Sequence, residues 1–129
     1  MSTAYTILRV ALGLNIFMHG FVRIHENTAQ FREVLLKEFD GSILPTGIIK
    51  VFGTMLPALE TSVGLLLLFG LFTEYALVSG SLLMLILIFG KSLKADWQTV
   101  SLQMIYVAFY AALNFLKIYN TVSLDKLFF

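Results

Sequence analysis

The amino-acid sequence predicts an all-α integral membrane protein, a four-helix bundle in up-down-up-down order with a short amphipathic helix between the first and second spans. Three observations carry that expectation. Of the 129 residues 58% are hydrophobic and 13% charged, with a mean hydropathy of +0.86. Soluble domains run about 45–50% apolar and about 25% charged. A domain of this length cannot hide so much apolar surface from water, so lipid is its better solvent. The apolar residues also fall into four runs, 4–22, 47–72, 75–90 and 100–116, each near the ~20 residues that span a bilayer. Finally, short polar links separate the later runs, which makes consecutive helices antiparallel neighbours within a single domain, residues 1–129.

The first run carries Arg9 and Asn15 inside its apolar stretch, with no basic segment before it and no small-residue cleavage pattern after it. It is read as a permanent helix. The next segment, NTAQFREVLLKEFDGSILP, places Phe31, Val34, Leu35 and Phe39 at helical spacing among charged residues. Asn27 is its expected cap, with Gly41 and Pro45 as stop signals, and the pattern suits a helix lying in the membrane interface. Thr73 is the expected cap of the third span. That span reaches full length only if Glu74 and Lys91 snorkel to the two interfaces.

Basic residues flank the spans unevenly. Arg23, Arg32, Lys37, Lys50, Lys91 and Lys94 lie on the side of the first and third loops, against Lys117 and Lys126 on the other. The positive-inside rule then puts both loops in the cytoplasm and the termini outside, as in a bacterial cytoplasmic (inner) membrane. Tyr5, Tyr75 and Tyr119 are expected at one interface and Trp97 at the other.

Polar side chains at membrane depth are costly, roughly 2.5–3.5 kcal/mol for each charge on insertion scales, so they turn toward partners or a wet cavity. The first span carries Arg9, Gly13, Gly20 and Arg23 in one sector, with His19 and Asn15 at its margin. In the second, Gly53, Pro57, Glu60 and Gly64 share a stripe. In the fourth, Gln103, Tyr106, Tyr110, Asn114 and Lys117 recur at spacings of three and four. The third span is almost wholly apolar. These stripes predict a polar pocket between helices one, two and four, formed by Arg9, His19, Arg23, Glu60, Tyr106, Tyr110 and Asn114.

Glu60 is mid-span and flanked by apolar residues, so Arg9, His19 and Arg23 are its candidate partners, with depth deciding among them. The same residues also suit a purely structural ion pair that fixes helix packing. A lone membrane histidine such as His19 most simply donates to a carbonyl, and its neighbour His25 falls on another face, so no metal site is expected. Absence of cysteine excludes disulfides, thiolate nucleophiles and Cys-held clusters. With a net charge of +1 and no basic stripe, nucleic-acid binding has no support.

Three segments carry a family likeness. LRVALGLNIFMHGFVRI (8–24) has an Arg near its start and His-Gly near its end. PALETSVGLLLLFGLFTEYAL (57–77) has a Glu, then a Gly, then a leucine-rich run closing on Gly-Leu-x-Thr, and YNTVSLD (119–125) carries Tyr and Ser-Leu-Asp with Asn-Thr-Val between them. Together they resemble DoxX-like membrane proteins. The resemblance implies a four-helix membrane fold and marks Arg9, His19, Gly20, Glu60 and Gly64 as family-pattern positions. Relatives include the membrane subunit of thiosulfate:quinone oxidoreductase, and others act as membrane chaperones or cargo receptors.

Two readings follow from the resemblance. One is a redox-associated membrane subunit whose pocket takes a quinone or another small molecule; with no covalently bound cofactor of its own, it would work with a partner redox protein. The other is a non-enzymatic accessory or chaperone protein that binds other membrane helices or lipids. No catalytic residue is identified, and a homo-oligomer is compatible with both.

Overall fold

In lipid, backbone N–H and C=O groups must be satisfied within the chain, and a sequence of leucine-rich runs meets that demand as helix. The computed structural model describes residues 1–26 and 28–128. Its elements are α1 (Ser2–Glu26), α2 (Thr28–Glu38), α3 (Thr46–Phe69), α4 (Thr73–Leu93), α5 (Trp97–Phe115), a 3-10 turn (Lys117–Tyr119) and α6 (Leu124–Phe128), with no strand among the described residues. Among the described residues three helices are long and apolar enough to cross a membrane: Ser2–His25 of α1, α3, and α4. α5 is shorter and carries Gln98, Gln103 and Asn114. α2 occupies the segment in which an amphipathic helix is expected, while its expected cap, Asn27, lies outside the described residues.

Helices α1 and α3 form the most extensive pair. They run antiparallel: Gly13 abuts Leu67 and Leu68, Gly64 abuts the backbone of Phe17, and Gly20 abuts Pro57 and Thr61. A Cβ at Gly20 or Gly64 would overlap those neighbours. Small residues here let two backbones touch, which is how helices associate in a solvent that gives no hydrophobic drive between them. α4 and α5 form the second pair, in which Gly80 receives the ring of Tyr110. Tyr5, Leu12, Ile16, Val63, Leu67, Leu77, Met84, Tyr110 and Leu113 make the common core. Large apolar side chains such as Leu14, Met55, Leu82, Phe89 and Met104 point outward, as suits lipid.

The α3–α4 turn is tight. Gly70 takes a left-handed conformation (φ 67°), and Leu71 N–H returns to the Leu66 carbonyl at 2.9 Å, a Schellman ending. Phe72 is also left-handed (φ 48°), a conformation costly for a residue with a Cβ. It is held from a distance: the Asp125 carboxylate accepts from Phe72 N–H (2.6 Å) and Thr73 N–H (2.8 Å). The expected cap is therefore corrected. Thr73 starts α4 without capping it; its hydroxyl accepts from Asn120 Nδ2 instead, and Asp125 of the tail caps the helix.

Tyr5 is a second correction. It is 4% exposed and donates to the Leu113 carbonyl at 2.9 Å, so it belongs to the core and not to an interfacial belt. Tyr75 and Trp97 are largely exposed near helix starts.

At the other turn Asp96 is the N-cap of α5, accepting from Thr99 N–H (3.3 Å) and Thr99 Oγ (2.7 Å). The side-chain bond from Thr99, then the backbone bond, hold the Asp96 carboxyl below the usual carboxylate range.

Two outcomes are expected. Gly64→Ala forces α1 and α3 apart and destabilises the protein by ~1–3 kcal/mol, while Gly47→Ala, whose added methyl meets nothing within 4 Å, leaves stability unchanged or slightly higher; detergent-titrated unfolding measures both. Because the Asp96 pKa is depressed in the folded state, its capping contribution is complete above the unfolded value and fades as pH falls through the lower folded one. Protection at Thr99, taken relative to the intrinsic exchange rate at each pH, should therefore fall only on the acid side of the carboxylate range, and Asp96→Asn should remove that dependence.

Candidate functional site

The close α1–α3 contact decides which cation meets Glu60. With Gly20 against Pro57 and Thr61, the next turn of α1 carries Arg23 to the depth of Glu60. Arg23 Nη1 lies 2.8 Å from both Oε1 and Oε2 of Glu60, whose side chain is 5% exposed against 30% for Arg23. The guanidinium carbon also sits 4.4 Å from the ring centroid of Phe31. One side chain thus links α1, α3 and α2 through an ion pair and a cation–π contact.

This pair borders a cavity of about 640 Å³ whose lining comes from α1, α2, α3, α4 and α5. Its walls are mainly apolar, with Ile16, Ile49, Phe52, Leu56, Met84 and Leu87 among them. The polar side chains that reach it include Asn15, His19, Arg23, Glu60, Gln103 and Tyr106. Such a chamber, apolar with a few polar groups, has the usual composition of a small-molecule site. His19 Nδ1 is 2.8 Å from the Asn15 carbonyl, as a lone membrane histidine is expected to be satisfied. The oxygens Asn15 Oδ1 and Gln103 Oε1 are buried without a hydrogen-bond partner.

α2 covers one side of the chamber. Phe31, Val34, Leu35 and Phe39 line it from above, and Glu38 pairs with Lys91 at the end of α4. Phe39 also rests against Gly90.

Of the seven residues expected in one pocket, four lie together: His19, Arg23, Glu60 and Tyr106. Arg9 stands apart from them, at the other end of α1. It is 3% exposed, and it donates through Nε to the Leu67 carbonyl (2.9 Å) and through Nη1 to Asn120 Oδ1 and the Val122 carbonyl (both 2.8 Å). Helical rise explains the separation, since Arg9 and Arg23 share a face but lie about 21 Å apart along the axis at ~1.5 Å per residue. Tyr110 is 1% exposed and packed on Gly80, and Asn114 lies a turn further on; neither lines the cavity. Gln103 and Asn15 are on the polar stripes of the sequence, and their burial in a chamber is what raises them above their neighbours. The contributions of Phe31, Glu38 and Lys91 come from the way α2 folds back, which no periodicity encodes.

Chemically the site offers a fixed, internally neutral ion pair, side-chain amides and a tyrosine on an apolar chamber. Among the described residues no group of three or more His, Cys, Asp or Glu is placed to hold a metal ion.

A family model described as methylamine utilisation protein MauE matches residues 1–99. No curated protein and no solved structure matches. The matched stretch includes α1 to α4 and therefore both partners of the ion pair and most of the cavity wall.

Removing one partner of a buried ion pair costs more than removing both. Arg23→Met should destabilise the protein by ~3 kcal/mol or more, while the double variant Arg23→Met with Glu60→Met should recover most of that loss. Unfolding in mixed detergent micelles, run as a double-mutant cycle, gives the coupling directly.

Proposed function

We propose that this chain, which belongs to the MauE family of methylamine utilisation proteins, is an integral membrane accessory protein that holds an amphiphilic small molecule in support of methylamine utilisation. The observation that carries the reading is the chamber of about 640 Å³ ending on the Arg23–Glu60 pair. An apolar body packs against Phe52, Leu56 and Met84, while a polar head meets the charged and amide groups.

In this reading α5 is the fourth span. It closes an up-down-up-down bundle with α1, α3 and α4 as one membrane domain over residues 1–129, in a bacterial cytoplasmic membrane. The antiparallel α1–α3 and α4–α5 pairs support that order. The motifs that resemble DoxX-like proteins fall on positions with architectural work: Arg9 and Asp125 secure the tail, and Gly20, Gly64 and Glu60 join α1 to α3. We take that likeness as shared architecture.

A quinone is one occupant of the right shape, with a flat polar head on an apolar tail. Because the sequence has no cysteine, electrons would pass between the quinone and a partner redox protein, and this chain would position the head.

Native mass spectrometry from gently solubilised membranes tests the reading, with lipid and quinone retained. Wild type should carry a small molecule into the gas phase, and Glu60→Gln should lower its occupancy about tenfold, as loss of one charged hydrogen-bonding partner gives. If wild type retains no small molecule while both proteins fold and assemble alike, the cavity is not a ligand site.

A further inference from the structure

The chamber is apolar where it opens outward and fastened where α2 covers it. Six residues both line it and stand exposed on the outer surface: His19, Val34, Ile48, Ile86, Phe89 and Leu102. All but His19 are apolar, and each of those five is more than half exposed. On a membrane bundle such side chains face hydrocarbon. An apolar path therefore runs from Leu56 and Met84 inside the chamber, past this rim, to lipid.

The cover is held at three points. Phe31 carries the Arg23 guanidinium at 4.4 Å, Arg32 Nη1 donates to Thr54 Oγ at 3.1 Å, and Glu38 pairs with Lys91 of α4, which also lies 4.0 Å from the Asp96 carboxylate. Between these ties Leu35 packs on Gly53 and Phe39 on Gly90. A ligand arriving from water over α2 would have to undo these contacts. One arriving through the rim meets mainly side chains that already face lipid.

The rim also bears on size. A chamber of about 640 Å³ encloses a molecule of ordinary small-ligand size. An apolar rim open to hydrocarbon removes that limit, because a methylene beyond it has merely exchanged lipid for side chains as apolar as lipid.

We propose that the chamber is loaded sideways from the bilayer and takes a long-chain amphiphile, whose head lies inside beside the Arg23–Glu60 pair and whose chain leaves across the rim into lipid. The inference rests on the cavity being a ligand site, and it adds the class of ligand and its route.

The test uses the full chain in lipid nanodiscs and two photolabels, hexadecanols that carry a diazirine either beside the hydroxyl or at the chain end. Leu56 and Met84 are 2% and 5% exposed, so labelling there reports a probe inside the chamber and not one in the surrounding lipid. The probe with its label beside the hydroxyl should mark Leu56 and Met84. The chain-end probe should lose those marks and label Ile48, Phe89 and Leu102 from outside. Chain-end labelling of Leu56 and Met84 that equals or exceeds labelling from beside the hydroxyl overturns the inference and leaves the cavity reading intact. If neither probe marks Leu56 or Met84, the cavity reading itself fails.

The route has its own test. The chain has no cysteine, and a Cβ at Gly53 would lie 3.4 Å from Arg32 Cα, within reach of a disulfide. With Arg32→Cys and Gly53→Cys oxidised before the probe is added, α2 is tied to α3, and labelling at Leu56 and Met84 should match that of the reduced form. Loss of labelling on oxidation, restored by reduction, means that α2 must lift and overturns the lateral route. The wild-type labelling maps decide where head and chain lie even if the double variant does not fold.

Discussion

Two arginines on one membrane helix set the terms for the rest of the structure. Arg9 and Arg23 lie on the same side of α1, and a guanidinium at membrane depth must be given hydrogen-bond acceptors or counter-charge. The fold answers the demand differently at the two ends. Around Arg9 it gathers neutral acceptors, the Leu67 and Val122 carbonyls and Asn120 Oδ1. Around Arg23 it supplies a carboxylate, Glu60, and an aromatic face, Phe31. Both solutions require α3 to lie against α1 at backbone contact, and the glycines at 13, 20 and 64 make that contact possible. The helix pair is thus set by charge as much as by packing.

The consequences at the Arg9 end are closure and order. To bring Asn120 and Val122 onto the guanidinium, the chain must turn back after α5, and the same turn delivers Asp125 to the start of α4. Gly70 is part of this arrangement, because a Cβ there would meet Ser123 and the guanidinium of Arg9. The left-handed Phe72 is tolerable because Asp125 fixes its N–H. At the Arg23 end α1 and α3 stay in close contact, α2 lies over them, and a chamber lined by α1 to α5 is left beneath it.

Much of this was legible in the sequence. Apolar run lengths gave the positions of the long helices, the spacing of Phe31, Val34, Leu35 and Phe39 gave α2, and the stripes identified Glu60 and its candidate partners. What escaped was set by depth and by the tail. A helical wheel projects along the axis, so Arg9 and Arg23 fall together although only Arg23 is level with Glu60. Tyr5 looked interfacial because tyrosine often is, but its hydroxyl finds the Leu113 carbonyl inside the bundle. Asp125 could not be recognised as a cap for α4, since its partner lies some fifty residues earlier in the chain. The fit of Tyr110 into Gly80 is also invisible to periodicity, because it depends on which faces of α4 and α5 meet.

In the proposed reading the ion pair at the chamber does more than lock helix packing. A buried pair rarely stabilises more than well-packed apolar residues of similar volume would, and at the other end of α1 the direct hydrogen bonds of Arg9 all go to neutral acceptors, with Asp125 acting on it only through space. Glu60 therefore adds something the architecture does not require. It keeps a second charged group at the chamber wall, and it holds Arg23 with 30% of its side chain still accessible. A pair closed to its surroundings would leave neither group available to an occupant. Here the carboxylate is sunk, the guanidinium keeps 30% of its side chain accessible, and Asn15 and Gln103 line the same chamber. That arrangement retains polarity where apolar packing would have been the easier solution, and it is the physical support for the ligand site proposed beneath α2.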